Sequence, residues 1–87
     1  MKTYETAIDK HIDGIAQAKG YDSRITASLR ASSTGIWKDE GVAFLNWMDS
    51  CYDYVYTEFT EIKAGNRTQP SIEELIAELP VIVWPSE

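Results

Sequence analysis

The stretch Ile36–Ala64, IWKDEGVAFLNWMDSCYDYVYTEFTEIKA, decides the fold of this 87-residue chain. One set of its apolar residues recurs at steps of four or three, which places that set on one face of an α-helix. In chain order they are Trp37, Gly41, Phe44, Met48, Cys51, Val55, Phe59 and Ile62. Gly65 follows, and glycine commonly ends a helix because it adopts the left-handed conformation at little cost. The stretch therefore predicts one long helix over 36–64.

The predicted helix is long for so small a chain. At 1.5 Å per residue it would measure about 43 Å. A compact domain of this size has a radius of gyration of about 12 Å, and hence a diameter of about 30 Å. We therefore expect the helix either to bend near Gly41 or to project and pack against another chain. An apolar face of this length also predicts a homo-oligomer.

The N-terminal segment predicts a second main helix over 3–19. Its isoleucines and Tyr4 recur at helical spacing, and Thr3 is placed to act as the N-cap. Gly20 is the expected end of this helix. Gly14 lies in its middle, where a glycine costs about 1 kcal/mol relative to alanine. We expect that Gly14 allows another helix to approach closely.

The segment after Gly20 predicts a possible short helix over 23–30. Asp22 or Ser23 could cap it, and both residue types are favoured at that position. In this helix Ile25 and Leu29 are four residues apart, so they would share one face. We expect both side chains to be buried.

The C-terminal segment predicts a third main helix over 71–79. Ser71 and Glu74 have the spacing of a capping box, and Pro80 stops the helix. The remaining residues, 80–87, are rich in β-branched side chains and prolines, which predicts an extended tail. The chain is therefore expected to be one all-α domain over 1–87, a small bundle of three main helices with an extended C-terminal tail.

The charge of the chain restricts the classes of partner. The net charge is −6, and it is uneven: residues 1–36 sum to +1 and residues 37–87 to −7. A nucleic-acid-binding surface needs cations that displace phosphate counterions, so we expect no nucleic-acid partner. No apolar run reaches the roughly 18 residues that a membrane span requires, so we expect no membrane partner. An acidic, aromatic surface suits a basic protein partner.

Residue types that carry chemistry are sparse. His11 is the only histidine, and no nucleophile or second base lies at a supporting spacing. Asp49 and Asp53 share one helix face, as a general acid/base pair or a cation site would require, but acidic helix faces are common. Asp39 and Glu40 fall in the first turn of the long helix, where we expect solvated carboxylates. We predict no catalytic, cofactor-binding or metal-binding residues, with an enzyme that uses Asp49 and Asp53 as the minor alternative.

Aromatic residues are the best candidates for partner binding. Tryptophan and tyrosine dominate binding hot spots because they bury a large area with few rotatable bonds. We predict Trp47, Tyr54, Tyr56 and Trp84 as contact residues. Trp84 has two interpretations: the tail folds back so that its ring plugs the bundle, or the tail docks onto another subunit.

Several short segments, in a specific order along the chain, resemble a group of small proteins from tailed bacteriophages and prophages. The resemblance covers about 7–85, and the order of segments is more specific than any one of them. The segments are His11-Ile12-Asp13, Ala18-Lys19-Gly20-Tyr21-Asp22, Trp37, Glu40-Gly41-x-Ala43-Phe44-x-x-Trp47, Ala64-Gly65-x-Arg67, Pro70-Ser71, Glu78-Leu79-Pro80 and Trp84-Pro85.

This resemblance implies a product of the tail and tail-fibre gene region, without catalytic residues to carry over. The implied role is that of a small virion component, or of an assembly or chaperone-like factor for tail-fibre or baseplate proteins. We then expect the protein in the host bacterial cytoplasm or in the virion tail. The alternative is a phage-encoded acidic inhibitor that binds a basic surface of a host protein.

Overall fold

The computed structural model describes residues 2–85, and within that range the protein is all-α, as predicted. The helices are α1 (Lys2–Lys19), α2 (Arg24–Leu29), α3 (Ile36–Lys63) and α4 (Ile72–Glu78), with one 3₁₀ turn at Arg30–Ser32 after α2. Because α1 already begins at Lys2, the prediction of Thr3 as its N-cap is wrong. Residues 80–85 form neither helix nor strand, and the end of the predicted tail, 86–87, lies outside the described residues.

Glycines end the two longest helices, as predicted. Gly20 has φ 109° and Gly65 has φ 80°, both in the left-handed region. After Gly20, the Tyr21 N–H donates to the Ala16 carbonyl at 3.0 Å, and the Gly20 N–H donates to Gln17. The same pair of bonds closes α3 around Gly65. These are Schellman motifs, which satisfy carbonyls that the helix leaves without partners.

Serine side chains cap the two short helices. The Ser71 hydroxyl accepts from the Glu74 N–H at 3.1 Å, and the Ser71 N–H donates to the Glu74 carboxylate at 2.9 Å. The predicted capping box is therefore confirmed. At α2 the cap is Ser23, one of the two predicted candidates, and it forms a capping box with Thr26.

The core lies between α1 and α3, with α4 and α2 completing it. Within α1 the buried residues recur every four positions. Within α3 the middle of the predicted stripe is buried together with Trp47, whereas Met48, Phe59 and Ile62 are partly buried. The buried apolar residues are Tyr4, Ile8, Ile12, Ala16, Ala27, Phe44, Trp47, Cys51, Val55, Leu75 and Leu79. Trp37 departs from the stripe: its side chain is 57% exposed, so its predicted place on the buried face is wrong.

The molecule is an elongated bundle rather than a sphere. Its Cα extents are 46 × 18 × 18 Å, and α3 has 28 residues, or about 42 Å. The expectation of a body about 30 Å across, in which the helix must either bend near Gly41 or project, is therefore wrong. Because α1 and α4 lie lengthwise beside α3, the length of α3 alone gives no reason for a second chain, and a homo-oligomer stays a prediction.

Gly41 is a position of close approach between α3 and the 3₁₀ turn. A Cβ atom built on it would overlap the Ala31 backbone nitrogen and the Arg30 carbonyl carbon. The 3₁₀ turn therefore crosses α3 where α3 has no side chain. Gly14, where close approach was predicted, is exposed and has no atom within 4 Å of such a Cβ.

The predicted burial of Ile25 and Leu29 is wrong. The two side chains are 63% and 64% exposed, and α2 turns Ala27 into the core instead. The cause is a contact distant in sequence: Asp13 accepts hydrogen bonds from the Arg24 backbone N–H at 2.9 Å and from its guanidinium at 2.8 Å. This anchor sets the rotation of α2, in which Ala27 rather than Ile25 or Leu29 faces the core.

Candidate protein-interaction surface

An open apolar groove lies between α2 and α3. Its volume is about 410 Å³. We call it the α2–α3 groove, and it is lined by Arg24, Ile25, Ser28, Leu29, Ser32, Leu45, Met48 and Tyr52. Clustered large apolar side chains on a surface of this kind mark interaction sites in folded proteins.

Each wall of the groove follows from helical spacing. Ile25 and Leu29 are four residues apart on α2, and Leu45, Met48 and Tyr52 follow steps of three and four on α3. Leu45 and Tyr52 lie beside the stripe that forms the core, and Met48 is a stripe residue that packs against the core while it lines the groove. The apolar arc of α3 is therefore wider than α1 and α4 can cover. What remains uncovered forms one side of the groove.

Sequence reasoning missed this groove. It assigned Ile25 and Leu29 to the core and did not single out Leu45. The available signal was the width of the apolar arc on α3, because Leu45 and Tyr52 are seven residues apart and adjoin the core stripe. The width of the arc shows that α3 has more apolar surface than its core contacts need. It does not show which part of that surface the other helices leave exposed.

An ion-pair network lies at the Arg24 end of the groove. The Arg24 guanidinium lies 2.8 Å from Asp13 and 3.7 Å from Asp9. The Tyr52 hydroxyl donates to Asp9 at 2.6 Å. Burial, followed by this bond to Asp9, raises the pKa of Tyr52, so the hydroxyl stays a neutral donor near neutral pH. The network fixes α1, α2 and α3 relative to one another beside the apolar lining.

Trp47, the first predicted contact residue, lies in the core. Its side chain is 7% exposed, and its ring centroid lies 5.5 Å from that of Phe44. The indole N–H donates to the Pro80 carbonyl at 2.7 Å. Trp47 therefore holds the tail against α3 and offers almost no surface of its own to a partner.

Tyr54, the second predicted contact residue, belongs to a polar network. Its hydroxyl donates to Glu78, and Arg67 binds Glu78 at 2.6 Å and also binds Glu58. The bonds from Arg67 and from Tyr54 hold the pKa of Glu78 below its usual value. The network joins α3, α4 and the loop between them, so Tyr54 has a structural role that does not require a partner.

Trp84, another predicted contact residue, folds back onto the bundle. Its ring stacks on Phe44 with centroids 6.0 Å apart and planes inclined by 19°. The Lys19 ammonium lies 5.3 Å from the ring centroid. Of the two interpretations, the structure has the one in which Trp84 covers the core.

Tyr56 is the predicted contact residue with the most open surface. Its side chain is 76% exposed. It borders a shallow depression of about 320 Å³ that Glu5, Phe59, Thr60 and Lys63 also line. Tyr56 lies one helical turn beyond Tyr52, so this depression continues along the side of α3 that carries the α2–α3 groove.

The candidates for chemistry lie apart from one another. His11 is half-buried with its ring centroid 6.3 Å from that of Trp47, whereas Asp49 and Asp53 are exposed on α3. Among residues 2–85, no group of three or more His, Cys, Asp or Glu side chains is arranged to hold a metal ion. Burial raises the pKa of the Cys51 thiol to about 11, so Cys51 is neutral and inert near neutral pH.

Glu40 departs from its predicted solvated position. It is buried, accepts a hydrogen bond from the Tyr21 hydroxyl at 2.6 Å and lies 3.5 Å from the Lys19 ammonium. Burial and the bond to Glu40 raise the pKa of Tyr21 to about 12. Because Glu40 faces α1 rather than the helix exterior, two partners from the end of α1 compensate its charge.

The chain was compared with protein-family models, curated proteins and solved structures. No protein-family model, no curated protein and no solved structure matches this chain. Over the part of the chain that the structure describes, no helix combines the length and the apolar character needed to cross a membrane.

Proposed function

We propose that this protein is a non-catalytic interaction module that binds another protein through the α2–α3 groove. The observation that carries the proposal is the exposure of Ile25 and Leu29, which is close to two-thirds for each side chain on a well-capped helix. Covering apolar surface stabilises a complex by about 25 cal/mol per Å² before the costs of association. Leu45, Met48 and Tyr52 extend the same surface, so one partner could cover all five side chains.

The resemblance to small phage proteins supplies the biological context of this proposal. In that context the protein is a small virion component, or an assembly or chaperone-like factor for tail-fibre or baseplate proteins. A binding surface without catalytic chemistry is what such a role needs. Tyr56 lies one helical turn beyond Tyr52, so a large partner bound in the groove would also contact Tyr56.

A second candidate function, an acidic inhibitor of a host protein, rests on a different surface. Asp39, Asp49 and Asp53 are exposed on α3, and none of the three forms an ion pair with a side chain in the described part of the chain. Such a surface suits a basic, nucleic-acid-binding face of a host protein. Affinity that depends on these charges falls steeply between low and moderate salt, whereas affinity from the groove does not.

The test is affinity purification of the tagged protein from phage-producing cells, followed by mass spectrometry. We expect tail-fibre or baseplate proteins to co-purify with the wild type and with Val83→Gln. Val83 is 84% exposed and outside the groove, so this variant is a matched control for an apolar-to-polar change. Leu29→Gln should abolish that recovery.

Two results would contradict the proposal. Equal recovery with Leu29→Gln and with Val83→Gln would show that the groove is not the binding surface. Recovery of a host nucleic-acid-binding protein, lost with Asp49→Asn and Asp53→Asn but not with Leu29→Gln, would favour the inhibitor.

A further inference from the structure

We infer that the element that occupies the α2–α3 groove is an amphipathic helix of the partner, with lysine or arginine along its flanks. The inference rests on the proposed function, since it assumes that a protein fills this groove. It specifies the chemistry of the bound segment, which the proposed function leaves open.

The backbone of the groove favours a helical occupant. The α3 wall is a 28-residue helix, whose interior N–H and C=O groups are already hydrogen-bonded. In the six-residue α2, Asp13 and Ser23 accept hydrogen bonds from the N–H groups of the first turn. A partner strand laid in this groove would find no backbone donors or acceptors and would bury its own without partners. A helix brings its backbone bonds satisfied, so only its side chains need to match the groove.

The spacing of the apolar lining sets the length of contact. Leu45 and Tyr52 are seven residues apart on α3, so they span about 10 Å along the helix axis. That distance is two helical turns, which matches anchors at positions i, i+4 and i+7 of a bound helix. Ile25 and Leu29 lie on the opposite wall of the groove, on α2, and would contact the same bound helix.

The charges beside the groove favour a basic occupant. Arg24 is the only charged residue among the lining residues, and its contacts with Asp9 and Asp13 leave that group of three with a net charge of −1. On the α3 side, Asp49 lies four residues after Leu45, and Asp53 follows four residues later. The α3 edge and the Arg24 end of the groove are therefore negative.

The same charges disfavour a second copy of this chain as the occupant. Each copy carries a net charge of −6, and a symmetric contact at the groove would bring Asp49 and Asp53 of both copies together. Arg30, which follows Leu29, cannot readily offset this repulsion, because its guanidinium lies 5.4 Å from the Trp37 ring centroid, over that ring.

The experiment compares two matched sets of synthetic amphipathic helices against the full chain. The sets share their apolar patterns, and one carries lysine flanks where the other carries glutamate. Fluorescence anisotropy at low salt should show the lysine set binding at least about tenfold more tightly. Leu29→Gln should weaken that binding by about tenfold, whereas Val83→Gln should leave it unchanged. The double variant Asp49→Asn and Asp53→Asn should reduce the difference in affinity between the lysine set and the glutamate set.

Three results would overturn the inference. One is equal or tighter binding of the glutamate set. Another is binding of neither set while Leu29→Gln still abolishes recovery of the tail protein from cells, in which case the proposed function stands. The third is a dimer in analytical ultracentrifugation that Leu29→Gln dissociates, because the occupant would then be a second copy. Selective binding of the lysine set without any tail protein recovered from cells supports the inference and contradicts the proposed phage function.

Discussion

Two sides of α3 have similar apolar composition but different surroundings. The covered side consists of Phe44, Trp47, Cys51 and Val55, all buried. The open side consists of Leu45, Met48 and Tyr52, which line the α2–α3 groove. The covered side faces α1, α4 and the tail, whereas the open side faces a six-residue helix that turns only Ala27 inward. Burial on α3 is therefore decided by what crosses each side rather than by the hydrophobicity of α3 itself.

The largest difference in stability between the two sides should appear when neighbouring residues, Phe44 on the covered side and Leu45 on the open side, are each replaced with alanine. Phe44→Ala should lower the free energy of unfolding by about 3–5 kcal/mol, because the ring is fully buried and stacks on Trp84. Leu45→Ala, one residue along, should lower it by about 1 kcal/mol, since Leu45 already contacts solvent. Urea unfolding measures both values. Similar losses for the two variants would mean that the open side contributes to the core as much as the covered side does.

The open side depends on Gly41, because this glycine positions α2 and the turn after it. Gly41→Ala should destabilise the protein by about 1–3 kcal/mol or more, since the new methyl group would overlap the Ala31 and Arg30 backbone. The matched control is Gly14→Ala, at an exposed helical site with open space around it. That variant should raise stability by about 0.5–1 kcal/mol. A thermal unfolding midpoint that rises for both variants would contradict the close crossing at Gly41.

These glycines show which features a single sequence can predict. The Schellman ends at Gly20 and Gly65 and the capping box at Ser71 depend on residues within one helical turn, so their sequence signals were sufficient. The crossing at Gly41 depends on the path of a segment ten residues earlier. The end of α1 at Gly20 was therefore predicted correctly, whereas the close approach predicted at Gly14, inside the same helix, was wrong.

The candidate site was harder to predict for a related reason. Periodicity shows which side chains share a face, but it does not show which element covers that face. Trp37 lies on the predicted stripe and is exposed, whereas Trp47 lies beside the stripe and is buried. The rotation of α2, which exposes Ile25 and Leu29, is set by the bond between Asp13 and Arg24, eleven residues apart. No local pattern carries that information.

The ion-pair network of Arg67 and Glu78, which joins α4 to α3, depends on charge. Acid should therefore lower the stability that this network provides. Glu78 has a pKa held below the ordinary value of 4.5 by its bonds from Arg67 and Tyr54. A lowered pKa in the folded protein stabilises it above pH 4.5, and this contribution is lost as the pH falls below that value. Urea unfolding over a pH series should show a steeper loss below pH 4.5 for the wild type than for Glu78→Gln.

The control for this pH series is Glu73→Gln, on the same helix. Glu73 is exposed and forms no ion pair with any side chain that the structure describes. Its removal should leave the acid dependence of the wild type in place. An identical pH profile for the wild type and Glu78→Gln would show that the network of Arg67 and Glu78 contributes nothing to folding.

Ile25 and Leu29 are the residues at which we expect the smallest effect of substitution on stability and the largest effect on partner binding. Replacing both Ile25 and Leu29 with glutamine should change the free energy of unfolding by about 0.5 kcal/mol or less, because both side chains already lie mostly in water. Urea unfolding, with Ala27→Gln as a buried contrast on the same helix, measures the difference. A loss above about 1 kcal/mol for the double variant would mean that these residues stabilise α2 in its place. An unchanged stability would leave Ile25 and Leu29 without a role in folding, and binding to a partner is then the remaining physical reason for two large apolar side chains at these positions.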